Sequence, residues 1–181
     1  NRISEKGFLH TDLLIIGSGP AGLISAYIAG LSGVRVLLVE EDFIYGGSLN
    51  NESFYISDMH PQAWLKFILK SIKKLSNIRI MKRTCVFGMF DHGTFGALEK
   101  LKDSKIEQMF WKIISKKALL CSGSLERLIP FQNNDLPGIM LSASIRSYIN
   151  RWGIKNFSDV LLFTNNDDAY STAIDLIENG I

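Results

Sequence analysis

The sequence has few of the residues that define a metal site or a redox centre. Its two cysteines, Cys85 and Cys121, lie far apart and form no C-x-x-C pair. This excludes the redox-active dithiol of disulfide reductases and a cysteine-based zinc site, and it is compatible with a reducing cytoplasm. Because no secretory signal is recognisable either, we expect a cytoplasmic protein.

The sequence also lacks a strong excess of charge. A formal net charge of +2 favours no class of partner. Basic residues do cluster between residues 66 and 83, but no aromatic or arginine-rich pattern accompanies them. We interpret the cluster as a solvated helix face and predict no nucleic-acid partner.

A hydropathy scan would mark one membrane span, the uncharged run Leu13–Leu31. Gly17, Gly19, Pro20 and Gly22 would break a spanning helix near its start. The run is therefore predicted to be a strand, a turn and a helix, and no membrane association is expected.

The segment Thr11–Glu40 carries the most informative pattern in the chain. An apolar strand runs into the turn Gly17-Ser18-Gly19-Pro20-Ala21-Gly22, an apolar helix follows, and a second β-rich run ends on Glu40. This is a βαβ unit with the G-x-G-x-x-G spacing of dinucleotide-binding folds, in the structural context that the motif requires.

Each residue type in this unit has a predicted role. Gly17 would allow the sharp turn, Gly19 the approach of a pyrophosphate, and Gly22 close packing of the helix. Pro20 suits the first helical turn, whose N–H groups and dipole attract phosphate. Glu40 is expected to accept hydrogen bonds from both hydroxyls of a ribose. Its charge would repel the 2′-phosphate of NADP by roughly 4 kcal/mol at about 4 Å, whereas NAD and FAD fit the motif equally well.

Two further segments of small residues belong to the predicted site. The pair Gly46-Gly47 would let its loop pass close to the dinucleotide. Ser122-Gly123 follows an apolar strand, and in this fold class the equivalent pair crosses near the bound dinucleotide.

The fold class is predicted to be α/β, a Rossmann-like FAD/NAD(P)-binding fold with a parallel sheet and a three-stranded antiparallel meander. Residues 1–10 are expected to be a lead-in linker, 11–128 a first dinucleotide-binding domain, and 129–181 a connector and the truncated start of a second. The predicted elements are helices over Pro61–Ser76, Ser142–Trp152 and Ala169–Glu178, strands over Ile78–Ile80, Cys85–Phe90, Thr94–Lys100, Gln108–Ser115, Lys117–Cys121 and Val160–Phe163, and polar turns at 91–93 and 102–104.

The second βα start lacks the glycines of the first. Asp167 and Asp168 suit the start of a helix, but their charges would repel phosphate. We predict a degenerate site that has lost its dinucleotide. His92 is interpreted as a turn residue, and neither a catalytic residue nor a metal ligand is predicted.

Several segments together resemble the α subunit of heterotetrameric sarcosine oxidase. The resemblance rests on the first βαβ unit with Gly46–Leu49, on Thr84–Gly88 with Asp91-His92, on Phe131–Leu141, and on FTNNDDAY at Phe163–Tyr170, which is the most specific. It covers nearly the whole chain, which we expect to be a piece of something longer.

The resemblance implies oxidative demethylation of sarcosine to glycine, giving hydrogen peroxide with formaldehyde, or 5,10-methylenetetrahydrofolate when tetrahydrofolate takes the one-carbon unit. It implies a β subunit carrying FAD, FMN at the α/β boundary, small γ and δ subunits, tetrahydrofolate in a C-terminal part beyond this segment, and an NAD without an established redox role. On this analogy the site comprises Gly17 to Gly22 and Glu40 for NAD, Glu41 and Asp42 beside the adenosine, Ser48 near the pyrophosphate, and the Val86 backbone on the adenine. Cys121 and Ser122 depart from the Ala-Thr-Gly usual in this fold class.

Three alternatives remain open at this point. A stand-alone FAD-dependent pyridine-nucleotide oxidoreductase would want an intact second glycine motif, which residues 164–169 lack. Related subunits of amino-acid dehydrogenases or of cyanide-forming glycine oxidases are harder to separate. A non-catalytic scaffold that holds a dinucleotide is nearly the same as the main interpretation for this segment alone.

Overall fold

A six-stranded sheet organises the chain, in a computed structural model that describes residues 3–102 and 105–181. The strands are β1 (Ser4–Ile16), β2 (Val36–Val39), β3 (Ile78–Met81), β4 (Thr84–Phe90), β5 (Thr94–Lys100) and β6 (Gln108–Leu120). The helices are α1 (Pro20–Leu31), α2 (Pro61–Ile72), α3 (Ser142–Arg146) and α4 (Asp168–Glu178), and α3 continues as a π-helical turn over Ser147–Arg151.

The sheet order is β3-β2-β1-β6-β5-β4. Strands β1, β2, β3 and β6 are parallel, whereas β4, β5 and the first half of β6 form an antiparallel meander. The apolar cluster of this sheet joins Leu14, Leu37, Met81, Phe95 and Ile113 from five strands. The predicted Rossmann-like fold, with its parallel sheet and its meander, is confirmed.

The lead-in linker predicted for residues 1–10 is wrong from Ser4 onward. Strand β1 begins at Ser4 and pairs with β6 from Ser4 opposite Gln108 to Ile16 opposite Leu120. The first seven residues of β1 are mostly exposed and polar, so they lack the apolar pattern of a core strand. Their backbone hydrogen bonds are satisfied by a partner a hundred residues away, which no local signal indicates.

Strand β6 is continuous, whereas two strands separated at Lys116 were predicted. Lys116 reaches Asp12 on β1 in an ion pair of 2.8 Å, so its charge is satisfied without a break in the strand. The polar turn predicted at residues 102–104 falls in part on Asp103 and Ser104, which lie outside the described residues.

Helix α2 confirms the predicted amphipathic pattern but ends at Ile72 rather than at Ser76. Its buried side chains are Trp64, Leu65, Ile68 and Ile72. Tight turns follow, in which Lys74 N–H donates to Ser71 and Leu75 N–H donates to Ile72. The lysines of this helix and of the turns after it are exposed.

The run Leu13–Leu31 divides into the end of β1, a turn and α1, as predicted. Within residues 3–102 and 105–181, no helix is long and apolar enough to cross a membrane. His92 lies in a 3-10 turn over Asp91–Gly93 with φ 58°, which agrees with its interpretation as a turn residue.

The chain divides into two compact units. The first contains residues up to Gly47 and Ala63–Gly123, and the second contains Ser48–Gln62 and Ser124–Ile181. The excursion 48–62 was not expected to leave the first unit. The domain boundary after residue 128 stays a prediction.

In the second unit, α3 and the following π-helical turn cover the helix predicted over Ser142–Trp152, and α4 matches the one predicted from Ala169. The strand predicted over Val160–Phe163 is absent from the described chain. In this segment Val160 and Leu162 are half-buried and pack on a cluster formed with Ile145. A β-strand is defined by hydrogen bonds to a neighbouring strand. In the described residues no strand pairs with this segment.

Candidate functional site

The glycine turn lies at the carboxyl edge of the parallel strands. Gly17 N–H donates to Val39 O at the end of β2, over 2.8 Å, and Cys121 N–H donates to Ile16 O at the end of β1, over 2.7 Å. Strand β2, which follows β1 in the chain, pairs with one edge of β1, and strand β6 pairs with the other edge. Ligands of open α/β sheets bind at such a point, where the strand order reverses.

The three motif glycines meet different surroundings. Gly17 has φ +102°, and a Cβ there would stand 2.2 Å from Cys121 O. A Cβ on Gly22 would stand 2.0 Å from Gly17 O, so Gly22 closes the helix onto the turn itself. A Cβ on Gly19 would meet nothing within 4 Å. Gly17 and Gly22 are therefore required by packing, while Gly19 faces open space that a ligand can approach.

The first turn of α1 contains no acidic residue. Gly19 is the N-cap, Pro20 is the first helical residue, and no side chain caps the helix. The first N–H groups of a helix have no partner within it, and the helix dipole adds positive potential at that end. This end of α1, with Ala21 exposed beside it, has the chemistry that binds a phosphate group.

Glu40 is buried at the end of β2 and joined to the glycine turn. Its Oε2 accepts hydrogen bonds from Ser18 N–H at 2.8 Å and from Ser18 Oγ–H at 2.6 Å, and its Oε1 accepts one from Asp42 N–H at 2.9 Å. A carboxylate offers about four acceptor positions. The described chain fills three of them and leaves one position, on Oε1, for a single hydroxyl, whereas the sequence predicted acceptance from both hydroxyls of a ribose.

The Gly46-Gly47 pair passes directly over the turn, as its small residues suggested. Gly46 N–H donates to Ser18 O at 3.1 Å and to Ser18 Oγ at 3.3 Å. A Cβ on Gly47, which has φ +53°, would lie 3.0 Å from Gly19 Cα. Ser48 follows as an exposed residue of a 3-10 turn over Gly47–Asn50 and belongs to the second unit.

The start of β4 lies beside the end of β2. Thr84 N–H donates to Glu40 O at 2.8 Å, and Arg83 N–H donates to Asp42 O at 2.9 Å. The chain next to Glu40 is thereby fixed, with Glu41 exposed and Asp42 half-buried. Val86, further along β4, is half-buried and packs on the apolar cluster of the sheet.

The segment after β6 reaches the turn from the other side. Ser122 N lies 3.1 Å from the Cβ position of Gly17, and Cys121 Cβ lies 3.3 Å from that of Gly22. Ser122 and Gly123 are exposed, and Gly123 has φ +71°. Burial raises the pKa of the Cys121 thiol. The thiol is therefore neutral near pH 7 and packs as a small apolar group.

Two aromatic residues near Glu40 were missed. Tyr45 is half-buried, and its pKa is raised by burial and by the negative charges of Glu40 and Glu99. The ring of Phe43 lies under the guanidinium of Arg83, 5.5 Å from its centroid. Both residues lie in sequence between Glu40 and Gly46-Gly47, which could have marked them as neighbours of the site. No motif assigns a role to aromatic residues at these positions.

The start of α4 differs from that of α1 in charge. Asp168 lies in its first turn and accepts hydrogen bonds from buried Arg146, at 3.1 and 2.7 Å. A shallow cavity of about 420 Å³ beside it is lined by Leu162, Thr164, Asn165, Asn166, Asp167, Ala169, Tyr170 and Ala173. A carboxylate of the chain thus occupies the helix end that receives a phosphate in an intact nucleotide unit.

Metal binding finds no support in the described part of the chain. There, no three His, Cys, Asp or Glu side chains come together as a metal-ion site would need.

The fold is the Rossmann-like fold of FAD-dependent oxidoreductases, with a glycine turn of the dinucleotide-binding type. Residues 12–98 match the family model described as FAD dependent oxidoreductase. The crystal structure of L-proline dehydrogenase from P.horikoshii has a similar fold, with a TM-score of 0.66 and 25% identity over 82% of this chain and 30% of that chain.

Along nearly its whole length the chain is similar to sarcosine oxidase alpha subunits. The alpha chain of sarcosine oxidase from Rhizobium meliloti (strain 1021) is 35% identical over 98% of this chain and 19% of its own length. One of the opine oxidase subunits from Agrobacterium tumefaciens (strain Ach5) is 26% identical over 94% of this chain and 35% of its own. The chain therefore spans about a fifth of the length of the sarcosine oxidase relative. The resemblance predicted from sequence is confirmed, and both relatives are named as subunits of oxidases.

Proposed function

We propose that this segment binds the ADP part of a dinucleotide, NAD with FAD as the alternative, within the α subunit of a sarcosine oxidase-type enzyme. The observation that carries the proposal is the open face at Gly19, beside a helix end with no side-chain cap and no acidic residue in its first turn, with Glu40 held next to it. One anionic and one hydroxyl-bearing group of a ligand would be recognised side by side.

Different residues of the site would bind the different parts of the ADP moiety. The pyrophosphate would approach Gly19, Ala21 and Gly22. Gly19 has no side chain to block the approach, and the first helix N–H groups have no partner within the helix and can donate. The remaining acceptor position on Glu40 Oε1 would receive a hydroxyl of the adenosine ribose. Gly47 would flank the pyrophosphate from above.

The remaining predicted ligand residues extend this site. Glu41 and Asp42 would lie beside the adenosine and the Val86 backbone on the adenine. Ser48 would follow the pyrophosphate loop, and Ser122 and Gly123 would border the turn from the β6 side. These assignments rest on the resemblance and on the placement of each residue next to an element of the turn.

For the whole protein we propose oxidative demethylation of sarcosine to glycine, with hydrogen peroxide and formaldehyde or 5,10-methylenetetrahydrofolate as the other products. FAD in a β subunit, with FMN at its boundary, would supply the redox chemistry, and tetrahydrofolate would bind elsewhere in the α chain. Small γ and δ subunits would complete a cytoplasmic assembly. In this scheme the segment described here binds and orients a dinucleotide and contributes no catalytic residue.

FAD is favoured as the alternative dinucleotide by a specific observation, the match of residues 12–98 to the FAD dependent oxidoreductase model. The same motif serves both cofactors, because each presents an ADP moiety to the first βαβ unit. A related amine or amino-acid dehydrogenase would use this site in the same way.

The test is to denature the intact protein and to identify the released dinucleotide by chromatography. We expect NAD, in about one equivalent per chain, and Glu40→Ala is expected to release less than a tenth of it, because a hydrogen bond to a charged group is worth about 1.5–3 kcal/mol. Asp12→Asn removes a carboxylate from an exposed ion pair with Arg35 and is expected to retain the wild-type amount. Release of FAD would select the alternative, and absence of any dinucleotide from the wild type would contradict the proposal.

A further inference from the structure

Ser18 is completely buried, although it lies in the turn that would bind a ligand. Its Oγ–H donates to Glu40 Oε2 at 2.6 Å, and its Oγ accepts from Gly46 N–H at 3.3 Å. A serine hydroxyl has one proton to donate. That proton is committed to Glu40, so the hydroxyl has none left for a phosphate oxygen.

The bond between Ser18 and Glu40 is of the strong kind. Hydroxyl-to-carboxylate hydrogen bonds of 2.5–2.7 Å are charge-assisted and roughly twice as strong as neutral ones. Here the bond is supported by a second one, from Ser18 N–H to the same oxygen at 2.8 Å. Both oxygens of the carboxylate are therefore held, Oε2 by Ser18 and Oε1 by Asp42, and the plane of the carboxylate is set.

Ser18 also reaches the second loop of the site. Gly46 N–H is shared between Ser18 O and Ser18 Oγ, at 3.1 and 3.3 Å. One buried residue thus contacts the acid at the end of β2 and the glycine pair above the turn. Neither Glu40 nor Gly46 is adjacent to it in sequence, and all three lie in the first compact unit.

We propose that Ser18 is a positioning residue, which orients the free acceptor position of Glu40 toward a ribose hydroxyl and couples this acid to the Gly46-Gly47 loop. It acts through Glu40 and does not touch the ligand with its hydroxyl. This inference rests on the proposed function and goes beyond it, because it replaces a direct ligand contact by a hydrogen-bonded relay.

The test uses the intact protein freed of bound dinucleotide, and the probes are ADP, 2′-deoxy-ADP and 3′-deoxy-ADP, titrated by calorimetry. For the wild type, we expect loss of the hydroxyl that Glu40 binds to weaken binding about tenfold, as for a hydrogen bond to a charged group. For Ser18→Ala, we expect this discrimination to fall to about twofold, with ADP affinity lowered about fivefold and deoxy-analogue affinity nearly unchanged. Ser18→Thr keeps the hydroxyl and is expected to restore the discrimination.

Two controls separate positioning from a general loss of structure. Ser32→Ala removes a hydroxyl that bonds Ile28 O at the other end of α1, and it is expected to match the wild type. In a Glu40→Ala background, Ser18→Ala is expected to change nothing further, because the group through which it acts is gone.

The outcomes distinguish the two proposals. Discrimination that survives Ser18→Ala unchanged, or that increases because the hydroxyl had been competing with the ribose, would overturn the positioning role. Equal losses for all three probes would assign Ser18 a purely structural role and also overturn it. If the wild type itself fails to bind ADP, or binds all three probes equally, the dinucleotide proposal fails and this inference fails with it.

Discussion

For two glycines of the turn, the structure predicts opposite effects of alanine substitution on stability and on ligand affinity. Replacing Gly22 by alanine would place a Cβ 2.0 Å from Gly17 O, a backbone atom that cannot rotate away. Overpacking of this kind costs about 1–3 kcal/mol, offset in part by the roughly 1 kcal/mol that alanine gains over glycine within a helix. Because the colliding atom is backbone, the cost lies at the upper end of that range, about 2–3 kcal/mol, and we expect Gly22→Ala to lower the free energy of unfolding by about 1–2 kcal/mol, and by more if the turn cannot shift.

Replacing Gly19 by alanine should leave stability nearly unchanged and weaken ligand binding. Gly19 has φ −65° and ψ −179°, which alanine adopts without strain, and its Cβ would meet nothing within 4 Å. Alanine restricts the unfolded chain, which stabilises by about 0.4–1 kcal/mol, but it is a poorer N-cap than glycine by a similar amount. The free energy of unfolding is therefore expected to stay within about 1 kcal/mol of the wild type. Affinity for a dinucleotide should fall tenfold or more, because the new methyl group occupies the space in front of the helix N–H groups.

Urea denaturation of the protein without ligand measures the free energy of unfolding, and calorimetric titration with ADP measures the affinity for the ligand. The reasoning predicts that stability and binding are separated, with Gly22→Ala impaired mainly in stability and Gly19→Ala mainly in binding. A Gly19→Ala variant that binds ADP like the wild type would refute the assignment of the open face. A Gly22→Ala variant of unchanged stability would show that the turn does not have the geometry described here.

Two further predictions concern charges outside the site. Hydrogen bonds from Arg35 lower the pKa of Asp12 below its ordinary value of 3.8, so the stabilisation by this pair is present above that pH and is lost as the pH falls below it. The melting temperature of Asp12→Asn should accordingly lie below that of the wild type at pH 7 and approach it in acid; a constant difference would contradict this. Buried Arg146 contacts Asp168 and, at 3.0 Å, Glu52, whose side chain is only 18% exposed, and Arg146→Ala should cost about 3 kcal/mol because it leaves the Glu52 carboxylate without its partner. Exposed Arg127→Ala is the control, and equal melting curves for the two variants would refute the argument.

Local physics made the first βαβ unit predictable. The spacing of Gly17 and Gly22, the apolar composition of α1 and the acid at Glu40 all lie within thirty residues of one another. Steric demands on the turn are of the same local kind, since a Cβ on Gly22 would collide with Gly17 in the same loop. The amphipathic helix α2 was likewise readable, because one face carries its buried residues.

The errors concern elements that depend on distant partners. Residues Ser4–His10 are polar and look like a linker, yet they form half of β1 because β6 supplies their hydrogen bonds. The break predicted at Lys116 is absent, since an ion pair with Asp12 satisfies its charge within a continuous strand. Val160–Phe163 has the composition of a strand but has no strand beside it in the described chain, so composition alone does not make it one.

The candidate site shows the same division. The sequence by itself determined the proposal of an ADP-containing ligand, because glycine spacing, a free helix end and a terminal acid are chemical requirements of binding an ADP moiety. Only the tertiary structure decided how the acid is used: Ser18 and Asp42 fill three of the acceptor positions on Glu40, and Gly46 is bonded to the same serine. Hydrogen bonds between residues more than twenty positions apart depend on where the strands place their ends, and spacing along the chain does not specify that.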